Sequence, residues 1–208
     1  MADARRSLAR LPWRFRYDYG DRAMSRLRRL SVRLTHRHCT VQVGAGAYFG
    51  PGFHLYIPDH GTLIVGERVR FRRGFVCEIG GEGRVQIGAD SVFTSHTMIG
   101  CTTSITIGDH CSFGQSTLIM DGFHKFRDPD RLMMEQGYDF RPITIGSGAS
   151  VTAKCTISAD IGERAMIGAG SVVIRDIPAF TFAAGSPARV IDYFGPPDRR
   201  PPELDAVR

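Results

Sequence analysis

From Val43 onward an apolar residue recurs at every sixth position, and the recurrences fall in triplets: Val43, Phe49, Leu55; Val65, Phe71, Cys77; Ile87, Phe93, Ile99; Ile107, Phe113, Ile119; Ile145, Val151, Ile157. The residue after each first member is glycine (Gly44, Gly66, Gly88, Gly108, Gly146), a coincidence on the order of 10⁻⁵ in a chain with 24 glycines, so the period is a true repeat. A partial row continues through Ile161-Gly162 and Ile167-Gly168 to Val173. Six is not a helical period, but it is a multiple of two. The pattern predicts short β-strands, each placing one residue inward per six positions, with glycine and other small residues turning the corners between them. Three strands per turn make a triangular parallel coil, and each turn buries its apolar residues only by stacking on the next.

The spacing between triplets locates what interrupts the coil. The gap is 10, 10 and 8 residues, then 26 between Ile119 and Ile145. About 18 residues therefore leave the coil in an insertion at 120–142, and long insertions in repeat arrays carry function. This one contains Asp121, His124, Lys125, Asp128, Asp130, Glu135 and Arg141. Ahead of the coil, Ala23, Leu27, Leu30 and Leu34 follow Asp21 at helical spacing, predicting a short basic amphipathic helix with Asp21 as its N-cap. Beyond Gly195 the chain is rich in proline (Pro196, Pro197, Pro201, Pro202) and is expected to lack order. The expected division is a basic arm at 1–40, a coil domain at 41–191 and a Pro-rich tail at 192–208.

Composition narrows the class. A chain of 208 residues with 42% hydrophobic and 23% charged residues suits one globular domain and excludes a disordered or collagen-like chain. No apolar run reaches the roughly 18 residues of a membrane helix, and no continuous apolar segment marks a signal peptide. A cytoplasmic location is expected, with peripheral attachment to the inner face of the membrane as the alternative. Five cysteines (Cys39, Cys77, Cys101, Cys111, Cys155) without C-x-x-C spacing suggest neither a disulfide framework nor a zinc site, and are read as reduced packing residues. The net charge of +6 is uneven: eleven arginines against three aspartates give +8 within residues 1–40, leaving −2 for the rest. Such an arm suits an anionic surface or acceptor; with no zinc-finger or RNA-recognition signature beside it, nucleic acid is not expected as a partner.

The period, the insertion bearing His124, and the stretches Arg141-Pro142-Ile143-Thr144-Ile145-Gly146, Ile167-Gly168-Ala169-Gly170-Ser171-Val172-Val173-Ile174-Arg175-Asp176-Ile177-Pro178 and Ala183-Ala184-Gly185-Ser186-Pro187-Ala188-Arg189-Val190-Ile191 together resemble the hexapeptide-repeat acyltransferases. Their maltose/galactoside and polysaccharide O-acetyltransferase branch is the nearest likeness. The resemblance covers about residues 41–191 and implies an all-β fold, a left-handed parallel β-helix. It also implies a homotrimer, with acetyl-CoA as acyl donor, a sugar or glycan as acceptor, both held in grooves between subunits, and no metal.

The family's general base falls on His124. A sugar hydroxyl has a pKa far above 7, so its attack on a thioester needs a base that titrates near neutrality. A base histidine needs its second nitrogen fixed, and Asp121, Asp128, Asp130, Glu135 or a backbone carbonyl are the candidates in sequence. The resemblance implies cofactor contacts from Ala153, Gly168, Ala169, Gly170 and Ser171, where small residues let backbone amides approach the pantetheine arm, and from Arg175 and Arg189 near the CoA phosphates. His96, Asp121 and Glu135 are substrate-binding candidates. Where the family carries asparagines before the catalytic loop, this chain has Phe93-Thr94-Ser95-His96-Thr97-Met98, and the step from Ile157 to Ile161 is two residues short of the period. N-acylation of an amino sugar is the alternative reaction, since an amine acceptor uses the same base. Zinc hydratases on the same coil need three histidines from adjacent subunits, and His96, His110 and His124 lie 14 residues apart with no common ledge.

Overall fold

The computed structural model describes residues 10–202. The predicted triplets fall one residue to a face on a left-handed parallel β-helix of triangular section. The first face stacks β1 (Thr40–Val43), β4 (Thr62–Val65), β7 (Arg84–Ile87), β10 (Ser104–Ile107) and β15 (Ile143–Ile145). The second stacks β2 (Tyr48–Phe49), β5 (Arg70–Phe71), β8 (Val92–Phe93), β11 (Ser112–Phe113), β16 (Ser150–Val151) and β18 (Met166–Ile167). The third stacks β3 (His54–Tyr56), β6 (Val76–Ile79), β9 (Met98–Cys101), β12 (Leu118–Met120), β17 (Thr156–Ile157) and β19 (Val172–Val173). On the first face the short step near Ile161 is absorbed by two isolated parallel bridges, Ile145 to Ile161 and Ile161 to Ile177.

Registers are unshifted from turn to turn, so like residues sit above like. Phe49, Phe71, Phe93 and Phe113 are consecutive partners on the second face and fully buried, the last two rings stacked 4.7 Å apart and 8° from parallel. Leu55, Cys77, Ile99, Ile119, Ile157 and Val173 form the matching column on the third. Columns of this kind bury apolar surface at roughly 25 cal/mol per Å², and every turn depends on its neighbour for the burial. The glycine after each first-face strand is a steric requirement: a methyl group on Gly44 would lie 2.5 Å from the backbone of Gly66, and one on Gly146 2.4 Å from the Glu163 nitrogen.

Ahead of the coil run α1 (Leu11–Arg14), a π-helical turn (Phe15–Gly20) and α2 (Asp21–Thr35). The helix at 21–34 is present, but its cap differs from expectation. Gly20 occupies the N-cap position without a side-chain bond, and the Asp21 carboxylate instead accepts a bond from the Tyr48 hydroxyl at 3.0 Å. The helix covers the first coil turn through polar groups. Ser25 Oγ accepts from the Phe49 amide at 2.8 Å and Arg28 donates to the Phe49 carbonyl at 2.9 Å. The imidazoles of His36 and His38 then reach the carbonyls of Leu55 and Ile57 at 3.2 and 2.7 Å. Only Ser25 and Val32 of α2 are buried, so the stripe of Leu27, Leu30 and Leu34 points away from the coil and is more than half exposed.

At the other end β20 (Thr181–Gly185) pairs with β18 and turns back antiparallel as β21 (Ala188–Tyr193). Within the proline-rich stretch, where order was not expected, Pro197–Arg199 forms a 3-10 turn and Arg199 lies over the Phe180 ring at 5.8 Å. No helix among the described residues is long and apolar enough to cross a membrane.

Because the Gly146 methyl would meet backbone, Gly146→Ala is expected to lose about 1–3 kcal/mol, as overpacked sites do. Gly100→Ala, whose methyl meets nothing within 4 Å, is expected to stay within about 0.5 kcal/mol of the parent. Urea unfolding midpoints of the two variants check this.

Candidate active site

The insertion leaves the coil at the end of β12, in the fourth turn, as a hairpin of β13 (Gly122–His124) and β14 (Tyr138–Phe140), antiparallel and in the register Gly122 to Phe140 and His124 to Tyr138. Both legs are fixed at the root. On the first, Asp121 is buried, and its carboxylate accepts from the Thr102 amide at 2.9 Å, the Thr103 amide at 2.6 Å and the Thr103 hydroxyl at 2.8 Å. On the second, the Arg141 amide donates to the Asp121 carbonyl at 2.7 Å, and its guanidinium reaches Asp176 at 2.6 Å and Asp160 at 3.4 Å. Those two carboxylates hold the Arg141 pKa above its ordinary value. The bonds to the buried Asp121 carboxylate are of the stronger, charge-assisted class, whereas the Arg141 pairs are half-exposed.

Three residues from that root, the His124 ring lies 4.2 Å from the Tyr138 ring, which stacks at 5.5 Å on Phe140. Gly122 makes room for this: a methyl there would lie 2.4 Å from the Phe140 ring. His124 is half-buried, and its Nδ1 is buried with no hydrogen-bond partner. None of the acidic neighbours in sequence supplies one. Asp121 is committed to Thr102 and Thr103, Asp128 bonds the Asp130 amide and the Gln136 side chain bonds the Asp128 backbone, and Glu135 sits exposed in a 3-10 turn (Met133–Glu135) at the hairpin tip. Around the tip Phe123, Phe126, Leu132 and Met134 are exposed by 46, 66, 73 and 70%.

Beneath the hairpin, the outer side of the third face carries Tyr56, Glu78, Gly100 and Met120 in register. Tyr138 and Phe140 overhang it, enclosing a cleft of about 300 Å³ floored by Gly100. Sequence reasoning missed Glu78, Tyr138 and Phe140. The alternation of Tyr138 and Phe140 around Asp139 is a strand signal that was there to be read; the placing of Glu78 needs the coil.

The remaining candidates separate into three places. His96 is an exposed corner residue between second and third faces, with φ of 60°, at the opposite end of the third face from the hairpin root. Ala153 and the Gly168-Ala169-Gly170 run stack on that same corner two and three turns further on, joined by the Gly170 amide on the Ala153 carbonyl at 3.0 Å. Ser171 beside them is fully buried, its hydroxyl donating to the Gly168 carbonyl at 2.6 Å and accepting from Gly185 at 3.1 Å, so its side chain serves the coil. Arg189 in β21 is exposed near this corner, whereas Arg175 is exposed beyond β19, beside Asp176 at the other end of the face. His96, His110 and His124 stay apart, and no cluster of three His, Cys, Asp or Glu that could hold a metal is found among the described residues.

Four of the five cysteines are buried and all are free. Burial pushes the Cys101 thiol up to about 12, with the Asp121 carboxylate at 3.5 Å adding to the effect, and burial raises Cys77, Cys111 and Cys39 as well.

Comparison with known proteins gives a consistent picture. No family model matches the chain. The chain is 53% identical over 51 residues to the dTDP-3-amino-3,6-dideoxy-alpha-D-galactopyranose 3-N-acetyltransferase of Aneurinibacillus thermoaerophilus, 24% of this chain and 27% of that one. It is 37% identical over 90 residues to the galactoside O-acetyltransferase of Escherichia coli, covering 42 and 43% of the two. The chain thus spans less than half the length of either relative. Among solved structures, an N-acyltransferase from Bacillus cereus in complex with dTDP-4-amino-4,6-dideoxyglucose and coenzyme A superposes with a TM-score of 0.66 at 18% identity, over 85% of this chain and 92% of that one. A hexapeptide-repeat acetyltransferase from Vibrio cholerae superposes with a TM-score of 0.53 at 25% identity, over 73 and 76% of the two chains.

A thiol held above its ordinary pKa carries less thiolate, and burial closes Cys77, Cys101, Cys111 and Cys155 to reagent, so these four are expected to be unreactive in the folded protein. Iodoacetamide at pH 8.5 is expected to modify no more than the half-buried Cys39 in the native protein and all five cysteines in denaturant, as read by intact mass.

Proposed function

We propose that this chain, alike in repeat, fold and relatives to the hexapeptide-repeat acyltransferases, is an acetyl-CoA-dependent acetyltransferase that acylates a hydroxyl of a sugar or glycan precursor. The observation that carries the reading is His124: an imidazole on a hairpin tied to the coil at both legs, packed against Tyr138, whose own ring overhangs the neighbouring cleft. In this reading the neutral His124 imidazole takes the proton of the acceptor hydroxyl as its oxygen bonds to the thioester carbonyl carbon. The tetrahedral intermediate then expels the CoA thiolate as the C–S bond breaks, and the imidazolium returns the proton to that sulfur. The leaving thiol, with a pKa near 8.5, needs little further help. With their thiol pKa values raised by burial, Cys77, Cys101 and Cys111 are unsuited to a covalent route, and transfer is direct within a ternary complex.

Acetyl-CoA is assigned to the corner formed by Ala153 and Gly168–Gly170, where backbone groups are approachable, with Arg189 toward its phosphates; Arg175, expected there too, stands at the other end of the face and is left out of that contact. The unpartnered Nδ1 of His124 and the exposed apolar side chains of the hairpin support a homotrimer in which the hairpin leans on a neighbouring coil. Ligand sites are concave, and a groove large enough for CoA then forms between chains. A second reading, N-acetylation of a nucleotide-linked amino sugar, is favoured by the amino-sugar acetyltransferase among the relatives, and His124 serves it equally. Attachment of the arm to an anionic membrane is supported by the outward stripe of α2 and is read by cosedimentation with anionic vesicles.

His124→Ala is expected to lower turnover about 10²–10⁴-fold with acetyl-CoA affinity unchanged. CoA release against a panel of sugars, amino sugars and their nucleotide-linked forms separates O- from N-transfer, and acid-quenched protein should carry no acyl label. Full turnover in the variant would remove His124 from the mechanism.

If the groove is shared, inactive His124→Ala chains mixed with weak-binding Arg189→Ala chains should regain activity on subunit exchange. Mixed trimers contain grooves with both groups intact. No recovery after verified exchange would place both groups in one chain's site.

A further inference from the structure

A second cleft, of about 820 Å³, lies between α2 and the second face of the first coil turns. Arg22, Arg26 and Arg29 of the helix form one wall, and Arg68, Arg70, Arg72 and Arg73 of the coil form the other. Its lining comes from the helix and the first three coil turns, ending at Ser95 beside His96, whereas His124 leaves the fourth turn off the third face and Ala153 and Gly168 belong to the fifth and sixth turns.

The charges in this cleft are not balanced. Arg68 is neutralised by Asp90 at 2.8 Å and Glu67 at 2.7 Å. Asp21, whose carboxylate accepts from the Tyr48 hydroxyl, is the one acid in the lining and offsets a single one of the remaining charges. The other six arginines make no ion pair with the described acids, and Arg29 Nε is shielded from solvent without a hydrogen-bond partner. A desolvated donor left unpaired is costly, and six like charges around one cavity repel one another unless something negative lies between them.

Guanidinium forks match phosphate oxygens bidentately, and the volume, within the range of ligand pockets, is far larger than one phosphate needs. We propose that this arginine-walled cleft binds a diphosphate or longer phosphate group at a site separate from the acyl-transfer centre. Two sources present that chemistry, a soluble phosphate ester and a lipid headgroup. The inference stands apart from the reaction, since nothing in it needs acetyl transfer, and its test reads binding alone.

Calorimetric titration of the full chain with inorganic pyrophosphate at low salt should give one saturable site per chain. Arg70→Ala/Arg72→Ala should weaken it about tenfold or more, with Arg84→Ala, an exposed first-face arginine, as the unaffected control. Pyrophosphate should also raise the melting temperature of the parent and not of the double variant, which should itself melt no lower than the parent, since it loses repulsion. Phosphatidylglycerol vesicles identify the source: if the double variant loses vesicle binding together with pyrophosphate binding, a lipid headgroup is the ligand, and if it keeps vesicle binding, a soluble phosphate is. Absence of saturable pyrophosphate binding, an equal loss in Arg84→Ala, or displacement of pyrophosphate by stoichiometric coenzyme A would overturn the proposal.

Discussion

The close approach of one coil turn to the next is the constraint from which the rest follows. The faces stack in unshifted register only because glycine stands where neighbouring backbones nearly touch, as Gly44, Gly66 and Gly146 do. Given that approach, Phe lies on Phe and Ile on Ile, and burial is complete without any long-range folding of the chain on itself. Anything that must reach outward has to leave the coil at a corner or in an insertion. The hairpin at 120–142 is the one long departure, and its legs are tied back to the coil by Asp121 and Arg141.

Much of this was legible in the sequence because a period of six carries its own geometry. The triplets predicted the faces, the following glycines predicted the corners, and the widened gap after Ile119 predicted an insertion bearing His124, though not that it folds as a hairpin. What stayed hidden was side-chain direction and cross-turn contact. Asp121 is near His124 in sequence, yet its carboxylate turns back to Thr102 and Thr103, because burying it without those amides would leave a charge unsatisfied. Ser171 reads as a small edge residue but spends its hydroxyl inside the coil.

The arm shows the same limit. Apolar spacing in α2 predicted the helix, and intuition would put its leucines against the coil. The first coil turn instead offers unpaired amides and carbonyls, which Ser25, Arg28, His36 and His38 can bond and leucine cannot. Polar residues therefore win the inner face and the leucines are left outside. The arginines of the helix meet those of the coil across about forty to fifty residues of sequence, which no local pattern reveals.

The polar seal on the first turn has a consequence for assembly. A parallel coil has no intrinsic length, because each new turn presents the same bare strand edges that accepted the last, and an unsealed end is a template for another molecule's end. Here Phe49, Leu55 and Ile57 have their edge groups occupied by the chain's own side chains, and at the far end β21 runs antiparallel, breaking the pattern a further turn would need. On those faces the chain's own side chains and an antiparallel strand stand where a further turn would have to add.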